Sequence, residues 1–138
     1  MRFMMIVKAT EDSEAGVMPG EDLLACMASY HEELAKAGVL LDGSGLHPSS
    51  TGWRIDYDGD KTSFTDGPFA ETRDLIAGYT LIQVSSRDEA IEWSKRFPNP
   101  STDGKRGQIE VRQLFELEDF EPGEALDRFK QMEQIAHS

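Results

Sequence analysis

Residues 2–9 read Arg2-Phe3-Met4-Met5-Ile6-Val7-Lys8-Ala9. Successive side chains of a strand point to opposite faces, so Phe3, Met5, Val7 and Ala9 fall on one side and Met4 and Ile6 on the other. Both sets are apolar, which predicts a strand covered on both faces. The next segments supply one cover. Leu23, Leu24, Met27, Leu34 and Ala35 recur at helical spacing after a turn-like stretch at 16–20. Glu21 and Asp22 lie near the positive end of that helix dipole, and Gly38 ends the helix as a C-cap glycine would. Residues 39–41 read as a short strand, followed by a glycine-rich loop at 43–50. Trp53, Ile55 and Tyr57 alternate ahead of Asp58-Gly59, and residues 63–65 return, which is a hairpin pattern.

Residues 76–84 form the next predicted strand. Ser86 and Glu89 have the spacing of a capping box opening a helix that carries Ala90, Trp93 and Phe97 on one face and stops at Pro98. Over 108–117, Ile109, Val111, Phe115 and Leu117 alternate with Glu110, Arg112 and Glu116, with Gln113 as the exception, so the last strand has one polar face. The order β-α-β, hairpin, β-α-β predicts an α+β protein: a ferredoxin-like split βαβ sheet with an inserted β-hairpin and both helices on one face. Residues 1–120 form the domain and 121–138 a C-terminal helical tail. With helices on one face only, Met4 and Ile6 need a cover that a second copy supplies, and a homodimer is expected.

The chain has 138 residues, enough for one core without a metal or disulfide. Acidic side chains outnumber basic ones by 26 to 14, and the basic ones are scattered; direct nucleic-acid binding and adhesion to an anionic membrane are disfavoured. No apolar run is long enough to span a bilayer, and Lys8 interrupts the apolar start, which reads as a strand rather than an export signal. The one cysteine, Cys26, fits a reducing compartment, hence the cytoplasm, and within an apolar helical stretch it reads as a packed core residue. No His or Cys pair has metal-ligand spacing and no glycine run has phosphate-loop form, so neither metal nor cofactor is expected.

The stretch Asp66-Gly67-Pro68-Phe69, followed by Ala70-Glu71-Thr72-Arg73-Asp74-Leu75-Ile76-Ala77-Gly78-Tyr79, resembles the signature of the DGPF branch of YCII-related proteins. MRFMMIVKA at the start, AGVLLDGSGLHPSS, DEAIEWSKRFP and GQIEVRQLFELEDF extend the likeness over residues 1–120. The resemblance implies a ferredoxin-like chain pairing sheet to sheet as a dimeric α/β barrel. Shorter YciI-like relatives carry a His and an Asp proposed as an acid/base pair. Counting back from Gly38, that His falls near Met27 here, so the dyad does not carry over, and His31 is not substituted for it. DGPF proteins often accompany extracytoplasmic-function sigma factors, which implies an alternative role as a noncatalytic regulatory or protein-interaction module.

Two expectations for the site follow. Asp66 and His47 are the candidate acid/base residues, His47 because a loop imidazole titrates near neutrality. Glu71, Arg73, Glu110 and Arg112 are candidate ligand contacts, with Arg73 or Arg112 holding an anionic small molecule in an inter-sheet cleft. Each has a plainer reading: Asp66 as a turn former, Glu110 and Arg112 as a cross-face pair, His31 and His137 as surface or packing residues. Trp53, Tyr57 and Tyr79 read as sheet packing.

Overall fold

The computed structural model describes residues 1–136, so His137 lies outside the described residues. Strands β1 (Arg2–Lys8), β2 (Leu40–Gly45), β5 (Ile76–Gln83) and β6 (Ile109–Gln113) form an antiparallel sheet in the order β2-β5-β1-β6. Helix α2 (Glu21–Lys36) joins β1 to β2, and α3 (Arg87–Lys95) joins β5 to β6. This is the ferredoxin-like split βαβ arrangement. A short helix α1 (Glu11–Glu14) precedes α2, and α4 (Glu124–Ala136) forms the tail, with Leu126 as its buried residue. The inserted strands β3 (Trp53–Asp58) and β4 (Lys61–Asp66) pair only with each other. No helix among the described residues is long and apolar enough to cross a membrane.

The core lies between α2, α3 and one sheet face. Phe3 and Met5 from β1 meet Tyr30 and Leu34 from α2, Ile82 from β5 and Ala90 from α3, with Trp93 and Phe97 at the margin. The Tyr30 hydroxyl donates to Trp93 O at 2.6 Å and ties α2 to α3. Burial pushes that phenol up to about 12. Ser86 caps α3 by accepting from Glu89 N at 3.1 Å. The Glu89 carboxylate reaches back to the Ser85 N–H and hydroxyl rather than to Ser86, and those bonds hold its carboxyl below the usual range.

The buried stripe of α2 runs through Leu23, Met27, Tyr30, His31 and Leu34. Leu24, Ala35 and Cys26 are exposed, contrary to the apolar face and packed thiol read from the sequence. Each lies roughly a quarter turn from the stripe's centre, and an aromatic and an imidazole occupy positions that a purely apolar pattern skips. Strand β2 runs on through Gly43 and Gly45 because β5 remains beside it as far as Gly78. Strand β6 ends at Gln113, short of Leu117. Leu114 N donates to Arg2 O, after which β1 has no residue left to pair.

On the other sheet face Met4 lies between Leu81 and Arg112, and Ile6 between Tyr79 and Glu110. Met4, Ile6, Tyr79 and Leu81 are half-buried, in contrast to Met5 at 0% exposure. The β3–β4 hairpin also shows apolar surface: Trp53, Ile55, Tyr57 and Phe64 are exposed, with Trp53 stacked on Phe64 at 6.4 Å.

Leu34 is fully buried where α2 meets the sheet. Leu34→Ala is expected to lower unfolding free energy by about 2–5 kcal/mol, measured by urea denaturation, whereas Leu24→Ala should change it far less.

Candidate functional site

The face of β2 and β5 that looks toward α2 loses its side chains at one end. Gly43 pairs with Thr80 and Gly45 with Gly78, so three glycines lie on that face together. Gly78 is required there: a Cβ would sit 2.9 Å from Ser44 O and 3.3 Å from Gly45 Cα. Gly45 is different, since a Cβ would meet only Ala77 O, at 4.0 Å. The bare backbone forms the floor of a cavity of about 600 Å³. Val17, Met18, Leu23, Leu24, Met27 and Phe97 give it apolar walls, and His47 stands among its lining residues beside Pro48.

His31 reaches over this floor from α2. Its Nδ1 is 2.7 Å from Met27 O, which can only accept, so Nδ1 carries a proton and donates. In the neutral imidazole Nε2 then accepts from the Thr80 hydroxyl at 2.8 Å. Thr80 is buried, and the rings of Tyr30 and Phe97 stand edge-on to the imidazole at 5.7 and 6.3 Å. A Cβ on Gly43 would lie 3.5 Å from Nε2, so the imidazole rests directly above glycine backbone.

A strap formed by residues 10–19 closes one side. Thr10 and Ser13 cap α1 reciprocally: Ser13 N donates to Thr10 Oγ1, and Thr10 N to Ser13 Oγ. Two carboxylates fasten the strap. Asp12 accepts from the Thr102 hydroxyl at 2.8 Å and from Lys105 Nζ at 3.0 Å, and these two bonds hold its carboxyl below the usual range. The stability this clasp contributes is therefore present above the ordinary carboxylate pKa and lost as pH falls through the lowered value. Glu14 accepts from Ser49 N at 3.0 Å and from the Ser49 hydroxyl.

Ser49 links the strap to the turn at 66–69. Its Oγ accepts from Phe69 N at 3.1 Å, while Gly67 N donates to Gly52 O at 2.9 Å. A Cβ on Gly67 would lie 1.8 Å from Ser49 O, so only glycine lets the two turns meet. Arg54 covers the Phe69 ring at 3.9 Å from its centroid. The Asp-Gly-Pro-Phe turn thus braces the 49–52 turn, which holds Glu14 and the strap over the cavity.

Of the residues singled out from the sequence, His47 lines the cavity. Asp66 ends β4 opposite Trp53, exposed, with no hydrogen-bond partner for its carboxylate among the described residues. Glu71 and Arg73 follow it on the surface, Glu71 in the left-handed region at φ 60°. Glu110 and Arg112 share the opposite sheet face and pair with each other at 3.4 Å. His31, set aside in the sequence, is the imidazole over the floor. Its spacing of four from Met27 and eight from Leu23 puts it on their stripe, which is the signal that could have found it. Glu14 and Ser49 carried no such signal, being 35 residues apart. Among the described residues no group of three or more His, Cys, Asp or Glu could hold a metal ion.

Gly67→Ala is expected to cost about 1–3 kcal/mol, because a backbone oxygen must move to admit the methyl group. Asp66→Asn, which breaks no bond in the structure, should stay within about 0.5 kcal/mol of the parent. Calorimetric melting of the two variants separates the bracing half of the turn from its carboxylate.

The YCII-related domain model matches residues 1–118. An uncharacterized protein of Rhizobium meliloti (strain 1021) is 31% identical over 96 residues, which cover 68% of this chain and 74% of that protein. Among solved structures, 5-chloro-2-hydroxyhydroquinone dehydrochlorinase from Burkholderia phenoliruptrix AC1100, in complex with 2,5-dihydroxybenzoquinone, aligns with a TM-score of 0.40 and 14% identity. The alignment covers 83% of this chain and 94% of that one.

Proposed function

This chain belongs to the YCII-related family, and on that premise we propose that it binds a small molecule in the cavity between α2 and the glycine-bearing end of β2 and β5. The observation that carries this reading is the bare floor. Protein interiors are close-packed, and a helix-facing sheet surface is ordinarily filled by side chains. Here Gly45 faces open space, beside Gly43 under the His31 imidazole and Gly78 against the Ser44 backbone, and the volume left is within the range of small-molecule sites. His47 has no hydrogen-bond partner among the described residues and is the side chain free to exchange a proton with the ligand. His31, held at both ring nitrogens, fixes the shape of the site. The exposed hairpin apolar residues Trp53, Ile55, Tyr57 and Phe64 favour a second reading, a noncatalytic protein-interaction module.

Gly45→Val tests the site, because a β-branched residue suits a strand and its side chain would project into open space on the floor. Thermal-shift screening against a metabolite library should find compounds that raise the melting temperature of the parent and not of Gly45→Val. Ligand at about 100 times its Kd adds about 2.7 kcal/mol of stability, an easily read shift. Compounds that stabilise both proteins equally, or none that stabilises the parent, count against the cavity.

The proposal includes a homodimer formed through the open sheet face, where Met4, Ile6, Tyr79 and Leu81 remain half-buried. Sedimentation should give about twice the 15.4 kDa chain mass. Ile6→Asp should shift it toward monomer, since the new carboxylate would be buried without a partner. A parent that sediments as a monomer at micromolar concentration overturns the dimer.

A further inference from the structure

We propose that the cavity selects an uncharged, mainly apolar molecule carrying a single polar group, an inference that rests on the cavity being the binding site. Charge is the first consideration. Among the described residues no Lys or Arg lines the cavity, so an anion entering it would lose its hydration with no permanent cation to replace it. The wall does contain the Asp12 carboxylate, but Lys105 already bonds to it at 3.0 Å, and a ligand cation would have to compete with that ammonium.

Hydrogen-bonding capacity is the second consideration. Thr10 and Ser13 satisfy each other, Thr102 donates to Asp12, Tyr79 donates to Asp42, and His31 bonds Met27 O and Thr80, while Ser44 alternates with Gly43 and Gly45 onto the sheet face away from α2. A ligand with several polar groups would leave most of them unpaired against apolar walls, which is unfavourable for each group buried. His47 is the exposed lining imidazole without a partner, and it can meet one hydroxyl or carbonyl near the mouth. Affinity then comes from apolar area packed against Val17, Leu23, Met27 and Phe97.

Four probes with one ring system separate these terms: naphthalene, 2-naphthol, 2-naphthoate and 2-naphthylmethylammonium, each titrated by calorimetry into the full chain at mildly alkaline pH and physiological salt. 2-Naphthol is expected to bind at least roughly tenfold more tightly than either ion, because the ions pay desolvation without a partner. His47→Ala should weaken 2-naphthol about three- to tenfold, the scale of one neutral hydrogen bond, and leave naphthalene unchanged. Leu24 lines the wall yet is 52% exposed, so Leu24→Lys places a cation at the cavity without emptying the core. In that variant 2-naphthoate should overtake 2-naphthol. Ion binding equal to or tighter than 2-naphthol in the parent, abolished by Gly45→Val, overturns this inference and leaves the cavity reading standing. Binding of none of the probes, or binding that persists in Gly45→Val, defeats the cavity reading and this inference with it.

Discussion

Strand β1 is hydrogen-bonded along both edges, to β5 on one side and β6 on the other, so its faces alone remain to be packed. That constraint orders the rest of the molecule. A central strand with apolar side chains on both faces must have helices on one and a different cover on the other. Phe3 and Met5 take the helices and are buried; Met4 and Ile6 face away and are half-buried. The helix layer is therefore committed to one side, and α2 lies over β5 and the edge strand β2.

The cavity is a consequence of that layer meeting a sheet that lacks side chains. Farther along the interface Leu34 and Ile82 fill the space completely, with no exposure for either residue. At the other end Gly43, Gly45 and Gly78 lie beneath α2, and the distance set by the packed end keeps the helix from collapsing onto them. Gly78 serves the sheet as well as the cavity, because Ser44 O approaches too closely for any Cβ.

The Asp-Gly-Pro-Phe turn acts on this cavity from outside it. Gly67 allows contact with Ser49 O, Ser49 bonds Phe69 N and the Glu14 carboxylate, and Glu14 belongs to the strap. At the strap's other fastening, Thr102 and Lys105 hold Asp12. Exposed ion pairs of this kind contribute little to global stability, so the geometry they impose on the strap matters more than the energy they add.

The alternation of residues 2–9, the turn at Asp58-Gly59 and the cap at Ser86 are local patterns, and they were sufficient to read the ferredoxin-like element order and the inserted hairpin. Their physics operates within a few residues: strand periodicity, a positive φ at Gly59, one side-chain bond to Glu89 N. Strand ends were less legible, because β6 stops where β1 runs out and β2 continues where β5 accompanies it. The site was least legible. His47 was readable as a loop imidazole, and the sequence alone determined that glycines surround it. Only the tertiary structure decided that Gly43 and Gly45 lie on the same face as Gly78, that His31 points at them, and that Ser49 connects Phe69 to Glu14. Those relations depend on register between strands and on contacts across 20 to 49 residues of chain, which no local pattern encodes.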